Sequence, residues 1–134
     1  MPESLAATCG MLNKKGYDLE NRLCQFAVLI IDIAEALPRS GAGNHISGQL
    51  IRSGTAPALQ YGEAQSAESR RDFIHKMKIA LKELRESYNS LRIIQMKRWI
   101  QEETVNSALN ENYQLIAIFV KSIATAQTNS NASN

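Results

Sequence analysis

The chain has 134 residues, 44% of them hydrophobic and 21% charged, which is the size of one ordinary domain and too apolar for a disordered chain. No unbroken apolar run is longer than residues 26–31, which ends at Asp32, far short of the roughly 20 residues a membrane-spanning helix needs, so no membrane partner is expected. The net charge of +2 is unevenly spread: residues 70–98 hold nine Lys/Arg against three Asp/Glu, and the remainder holds six against ten, an asymmetry that says more than the sum.

Residues 1–16 show no sustained periodicity, include Gly10, Gly16 and the Lys14-Lys15 pair, and read as a flexible leader. They lack the positive start and apolar middle of a secretory signal, so a cytoplasmic location is expected. Cys9 and Cys24 stand in neither a CxxC nor a His-paired spacing. They read as inert thiols, Cys24 partly buried.

A four-helix domain is expected over residues 17–126. In the first helix Leu19, Leu23, Phe26, Ala27, Ile30, Ile33, Ala34 and Leu37 recur at the three-and-four spacing of one helical face. Pro38, Gly41 and Gly43 then mark a stop and a loop. The second helix is expected from an Asn44 N-cap to about Gln65, on Ile46, Leu50, Ile51, Leu59 and Tyr61. Its middle is a run of small residues, Ser53, Gly54, Thr55, Ala56 and Ala58, interrupted by Pro57. A proline there removes one backbone bond and crowds the carbonyl of Ser53, which predicts a bend or a break near residues 53–57.

Ser69-Arg70-Arg71-Asp72 reads as a capping box that opens the third helix. Phe73, Met77, Ala80, Leu81, Leu84, Tyr88, Leu91 and Ile94 form its apolar stripe, directed toward Trp99 with no proline or glycine in the run. The fourth helix is expected from about Glu102 to Ala126 on Val105, Ala108, Leu109, Leu115, Ile116, Phe119 and Ile123. Residues 127–134, rich in Asn, Ser and Thr, read as a disordered tail. Four helices with short links and no strand alternation point to an all-α, antiparallel up-down-up-down four-helix bundle. Val28, Leu29 and Ile31 on the first helix, and Tyr113, Ile118 and Val120 on the fourth, add apolar surface beyond one face. That surplus argues for oligomer contacts, and a tightly packed central helix gives the same pattern.

No catalytic pattern emerges, and no enzyme activity or cofactor is expected. A phosphate loop and an HExxH pair are missing from the sequence. A bundle metal site needs a Glu-x-x-His motif on two helices with further carboxylates. Asp72 and His75 are the one acidic-x-x-His here, Asp72 already caps a helix, and no metal ligand set follows. Glu63 lies among small residues. If buried it needs a partner, and Arg52 of another subunit fits; exposure to solvent is the plainer reading.

The third helix carries one further pattern. Arg71, His75, Lys78, Lys82, Arg85, Asn89 and Arg92 repeat at alternating four-and-three spacing, offset from the apolar stripe. The seam reads two ways: a solvated face partly neutralised by Glu83 and Glu86, or a phosphate-binding strip whose cations release counterions from nucleic acid. It carries no interleaved aromatic residues for stacking bases, which points to shape or charge readout.

Tyr17-Asp18-Leu19-Glu20-Asn21-Arg22-Leu23, the Leu37-Pro38 stop, Gln49-Leu50-Ile51-Arg52-Ser53-Gly54-Thr55-Ala56-Pro57-Ala58 and Tyr61-Gly62-Glu63-Ala64 resemble the bacterial four-helix bundle family named for the 23S ribosomal RNA intervening sequence. Ser66-Ala67-Glu68-Ser69, Asp72-Phe73-Ile74 and Lys82-Glu83-Leu84-Arg85-Glu86 extend the likeness, which covers about residues 17–120. That family is similar to the accessory protein of diversity-generating retroelements, a basic pentameric bundle that binds nucleic acid and a reverse transcriptase. The resemblance implies a homopentameric ring with the small-residue second helix and its Pro57 near subunit contacts. Together these readings predict a non-enzymatic oligomer that binds RNA or DNA through Arg71, Lys78, Lys82, Arg85 and Arg92, with Arg52, Pro57 and Glu63 at subunit contacts. The competing expectation is a protein-interaction scaffold or accessory subunit without nucleic-acid contact.

Overall fold

The computed structural model describes the backbone of residues 14–133 and the side chains of residues 18–129. Most of the expected leader, including Cys9, lies outside the described residues. Four helices follow in order: α1 (Lys14–Glu35), α2 (Gly41–Gln65), α3 (Arg70–Lys97) and α4 (Glu102–Ser133). No strand occurs among the described residues. Each helix packs on the next, and α1 closes on α4 through the least extensive of the four contacts. α1 starts at Lys14, three residues before the expected start, and α4 continues through the expected end at Ala126 to Ser133.

The apolar stripes of α1, α3 and α4 meet as their spacing requires. Leu23, Phe26 and Ile30, Met77, Leu84 and Leu91, and Val105, Leu115 and Phe119 are all buried. Tyr61 and Phe119 cross the core edge to face, with centroids 6.1 Å apart and planes at 63°, an arrangement that aligns ring edge with ring face.

α2 departs from expectation. Ile51 and Leu59, assigned to the core by hydrophobicity, are 37% and 69% exposed. The buried face consists instead of Leu50, Ser53, Gly54, Pro57, Tyr61 and Ala64. Small volume decides the choice: a Cβ on Gly54 would lie 2.4 Å from Cγ2 of the fully buried Ile30. α1 therefore comes closer at Gly54 than any larger residue allows, and that approach turns Ile51 and Leu59 outward. Of the bend or break expected near residues 53–57, the break does not occur, since the helix continues through Pro57. Ser53 Oγ donates to the Gln49 carbonyl at 2.9 Å, so the hydroxyl finds its partner within the helix.

The N-cap of α2 is Ser40 and not Asn44. The Ser40 hydroxyl accepts from the Gly43 N–H at 3.0 Å, and the Asn44 N–H already donates within the first turn, to Ser40 O at 2.8 Å. Gly41-Ala42-Gly43, expected as loop, is that first turn. A Cβ on Gly43 would stand 1.9 Å from the Pro38 carbonyl oxygen, so the glycine there permits the chain to fold back over Pro38.

α3 begins where its capping residue predicts, with the Ser69 hydroxyl accepting from the Asp72 N–H at 3.0 Å. It ends on Arg98 in the left-handed conformation (φ 56°). The Arg98 N–H reaches Gln95 O at 3.1 Å and the Trp99 N–H reaches Ile94 O at 3.3 Å, satisfying carbonyls that the last helical turn leaves open. The Lys97 ammonium lies 5.8 Å from the centre of the Trp99 ring, within cation–π range. No helix among the described residues is long and apolar enough to cross a membrane. Cys24, expected to be partly buried, is exposed: it stands 160° around α1 from Phe26 of the core at about 100° per residue.

Candidate nucleic-acid interface

All seven residues of the α3 seam, Arg71, His75, Lys78, Lys82, Arg85, Asn89 and Arg92, are exposed. The three-and-four step keeps them on one side of the helix, away from Met77, Leu84 and Leu91. Among the described residues none of its five Lys and Arg makes a salt bridge.

Two of the three acids of the same helix, Glu83 and Glu86, are engaged elsewhere. Arg52 of α2 reaches Glu83 with Nη1 at 3.0 and 3.2 Å, and Glu86 with Nη2 at 2.8 Å, while Gln49 accepts from Nη2 at 2.9 Å. Glu83 follows Lys82 by one residue and so turns about 100° away from it around the helix, toward α2. The hydrogen bond to Glu86, then the charges of Glu83 and Glu86, raise the Arg52 pKa. Burial, then the neighbouring Glu86, pushes the Glu83 carboxyl above the usual glutamate range, against the pull of Arg52 and Lys82. Lys76 of α3, which lies outside the seam, does pair: its Nζ lies 2.9 Å from Glu63 on α2. That bond raises the Lys76 pKa.

Arg52 and Glu63, expected to meet between subunits, thus each have a partner within the chain. Glu63 is exposed, as the plainer reading held. Pro57 is buried in the subunit's own core. Across the bundle Arg22 makes a forked pair with Glu111, 3.0 Å from Nε and 2.8 Å from Nη2, which ties α1 to α4. Among the described residues no group of three or more His, Cys, Asp or Glu could hold a metal ion.

The other wall of the seam comes from α4. Arg85, Tyr88 and Asn89 of α3 line a groove of about 280 Å³ with Tyr113 and Ile116 of α4. Next to it Lys78, Leu81, Lys82, Arg85, Glu86 and Asn89 line a second, along α3 itself. Tyr113 is 64% exposed. An aromatic residue of α4 therefore borders the seam, although the seam itself has no interleaved aromatics. Helical spacing along α3 cannot reveal it, because Tyr113 belongs to another helix.

Behind the groove the register of α3 against α4 is held by Asn112, which is fully buried. With its oxygen toward α3, the amide accepts from Ser87 Oγ and the Tyr88 N–H and donates to Leu84 O, each at 3.0 Å. A buried amide that finds all three partners in one position disfavours any shifted pairing. Tyr113 is its immediate neighbour in sequence, so the same lock sets that ring beside Arg85.

An all-α four-helix bundle with an exposed row of cations defines the class. Residues 15–121 match the family model described as 23S rRNA-intervening sequence protein, and the chain belongs to that family. A crystal structure of a protein of unknown function from the S23 ribosomal protein family of Bacteroides thetaiotaomicron is similar, with 30% identity and a TM-score of 0.73. The likeness covers 78% of this chain and 97% of that one. No curated protein matches the chain significantly.

Proposed function

We propose that this protein is a non-enzymatic, oligomeric, cytoplasmic four-helix bundle that binds RNA or DNA through Arg71, Lys78, Lys82, Arg85 and Arg92. The observation that carries the reading is the division of charge on α3: Arg52 holds Glu83 and Glu86 on the α2 flank, and the five seam cations stay exposed. Fixed cations at helical spacing neutralise successive phosphates and release their counterions.

On this reading the helices run up, down, up and down, and subunits close into a homopentameric ring that repeats the seam and turns a weak contact into an avid one. Partner positions along α2 and α3, Glu63 with Lys76 near the turn and Arg52 with Glu83 farther from it, support the antiparallel arrangement. Outward-facing Val28, Ile51 and Leu59 support burial against a second copy. Subunit pairing of Arg52 with Glu63 exchanges their intrachain partners.

The test is binding of short mixed RNA and DNA at low and moderate salt, with light scattering for mass. Affinity for a single strand should fall with a log–log salt slope of about −0.7 per phosphate contacted. Lys78→Glu, Lys82→Glu and Arg85→Glu together should abolish binding with the helical signal intact, and unchanged affinity in that variant sinks the proposal. The scaffold reading draws on Ile93 and Met96, apolar and exposed beyond Arg92. A protein complex that survives nuclease treatment favours it.

A further inference from the structure

We infer that the α3–α4 groove is a base-stacking site, which makes the ligand of the seam a single strand and not a duplex; the inference rests on the nucleic-acid reading above. Tyr113 is the largest exposed aromatic surface beside the seam, and it lines the same groove as Arg85, Tyr88, Asn89 and Ile116. A tyrosine ring in water next to a cation offers what an unpaired nucleotide needs at one place: a flat apolar face for the base, and a guanidinium for the phosphate beside it. Asn89 supplies an amide at the edge of the same groove, able both to donate to and accept from a base. A duplex keeps its base faces stacked inside and has no use for the ring.

Charge selects this occupant over a second copy packed face to face. Lys78, Lys82 and Arg85 line the adjoining groove, where the one acid, Glu86, is held by Arg52 at 2.8 Å. Two such surfaces brought together set like charges against each other, which disfavours the contact. A phosphate strand answers the cations and a base answers the ring. Groove and seam are continuous through Arg85 and Asn89, which line both grooves, so a strand following the α3 cations passes Tyr113.

The intact protein is titrated with three probes at one salt concentration: a short mixed-sequence RNA, a sugar–phosphate strand of the same length without bases, and a blunt duplex. The base-bearing strand should bind at least several-fold more tightly than the abasic one. Tyr113→Ala should remove most of that preference, a loss of about 5- to 150-fold for one stacked base. Affinity for the abasic strand and the salt slope should not change, and Tyr113→Phe should retain the preference. Equal binding of abasic and base-bearing strands by the unaltered protein overturns the stacking site and leaves the seam reading standing. Failure of all three probes to bind overturns both. A fall in mass by light scattering for Tyr113→Ala, with all affinities falling together, assigns the groove to a subunit contact and overturns the inference.

Discussion

Glu83 lies partly buried under Arg52, with Glu86 beside it, and its carboxyl titrates above the ordinary glutamate range because burial outweighs the attraction of Arg52 and Lys82. The sign of the pH effect follows from linkage. Between the unfolded and folded pKa values the native state binds more protons than the unfolded chain, so stability falls as pH rises through that window. Below it the carboxyl is neutral in both states and imposes no penalty. The contribution of Lys76 is present through the neutral range and is lost only as pH rises through the lysine range, since its folded pKa is raised. Glu83→Gln removes the first effect. In urea titrations stepped from acid to neutral pH, the stability of the unaltered protein relative to Glu83→Gln should decline as pH rises through the glutamate range. Parallel curves for the two proteins defeat this account of Glu83. Little of this residue-scale chemistry was legible in the sequence. Glu83 and Glu86 read as partial neutralisers of the seam, and the arginine that holds them comes from α2.

At the scale of the helices, side-chain volume corrects the reading that hydrophobicity supports. α3 was legible almost to its ends, because its cap Ser69, its unbroken stripe and its freedom from glycine and proline are local properties. α2 was not. Its buried face runs through Gly54 and Pro57, and nothing local reports that Ile30 fills the space beside Gly54. Alanine at position 54 should be the better helix former by about 1 kcal/mol, yet its Cβ meets Ile30 at 2.4 Å, and overpacking costs about 1–3 kcal/mol. The second effect wins if α1 and α2 cannot move apart. Gly54→Ala is expected to lower the denaturation midpoint, and combining it with Ile30→Ala should cost less than the two single changes added. Strict additivity in that double-mutant cycle contradicts the close approach of α1 and α2 at this point.

The whole molecule presents two unlike surfaces. Across α3 and α4 the cations of the seam adjoin Tyr113 and Ile116. Elsewhere Val28 of α1 and Ile51 and Leu59 of α2 face outward. Gly48 and Gly62, in the interior of α2, have open space where a Cβ would stand. In a lone subunit, alanine at either position should therefore stabilise α2 by up to about 1 kcal/mol. If α2 lies at the subunit contact, as the proposed ring has it, the added methyl groups intrude on a neighbour. Gly48→Ala and Gly62→Ala together should then lower the mass seen by light scattering while each chain stays helical. Higher stability with no change of mass places the contact away from that side of α2.

The four helices, the Ser69 cap and the row of cations on α3 could be read from the chain because each depends on residues within a few turns of one another. Periodicity and capping are local interactions, and they survive in any arrangement of the helices. Which acid meets which base, why α2 turns Ile51 and Leu59 outward, and that Tyr113 stands beside Arg85 depend on how close the helices come and in what register. Those follow from the fit at Gly54 against Ile30 and from the buried Asn112 against Ser87, contacts between residues far apart in the chain. The seam was thus visible in one helix, while its aromatic wall exists only where a second helix packs against it.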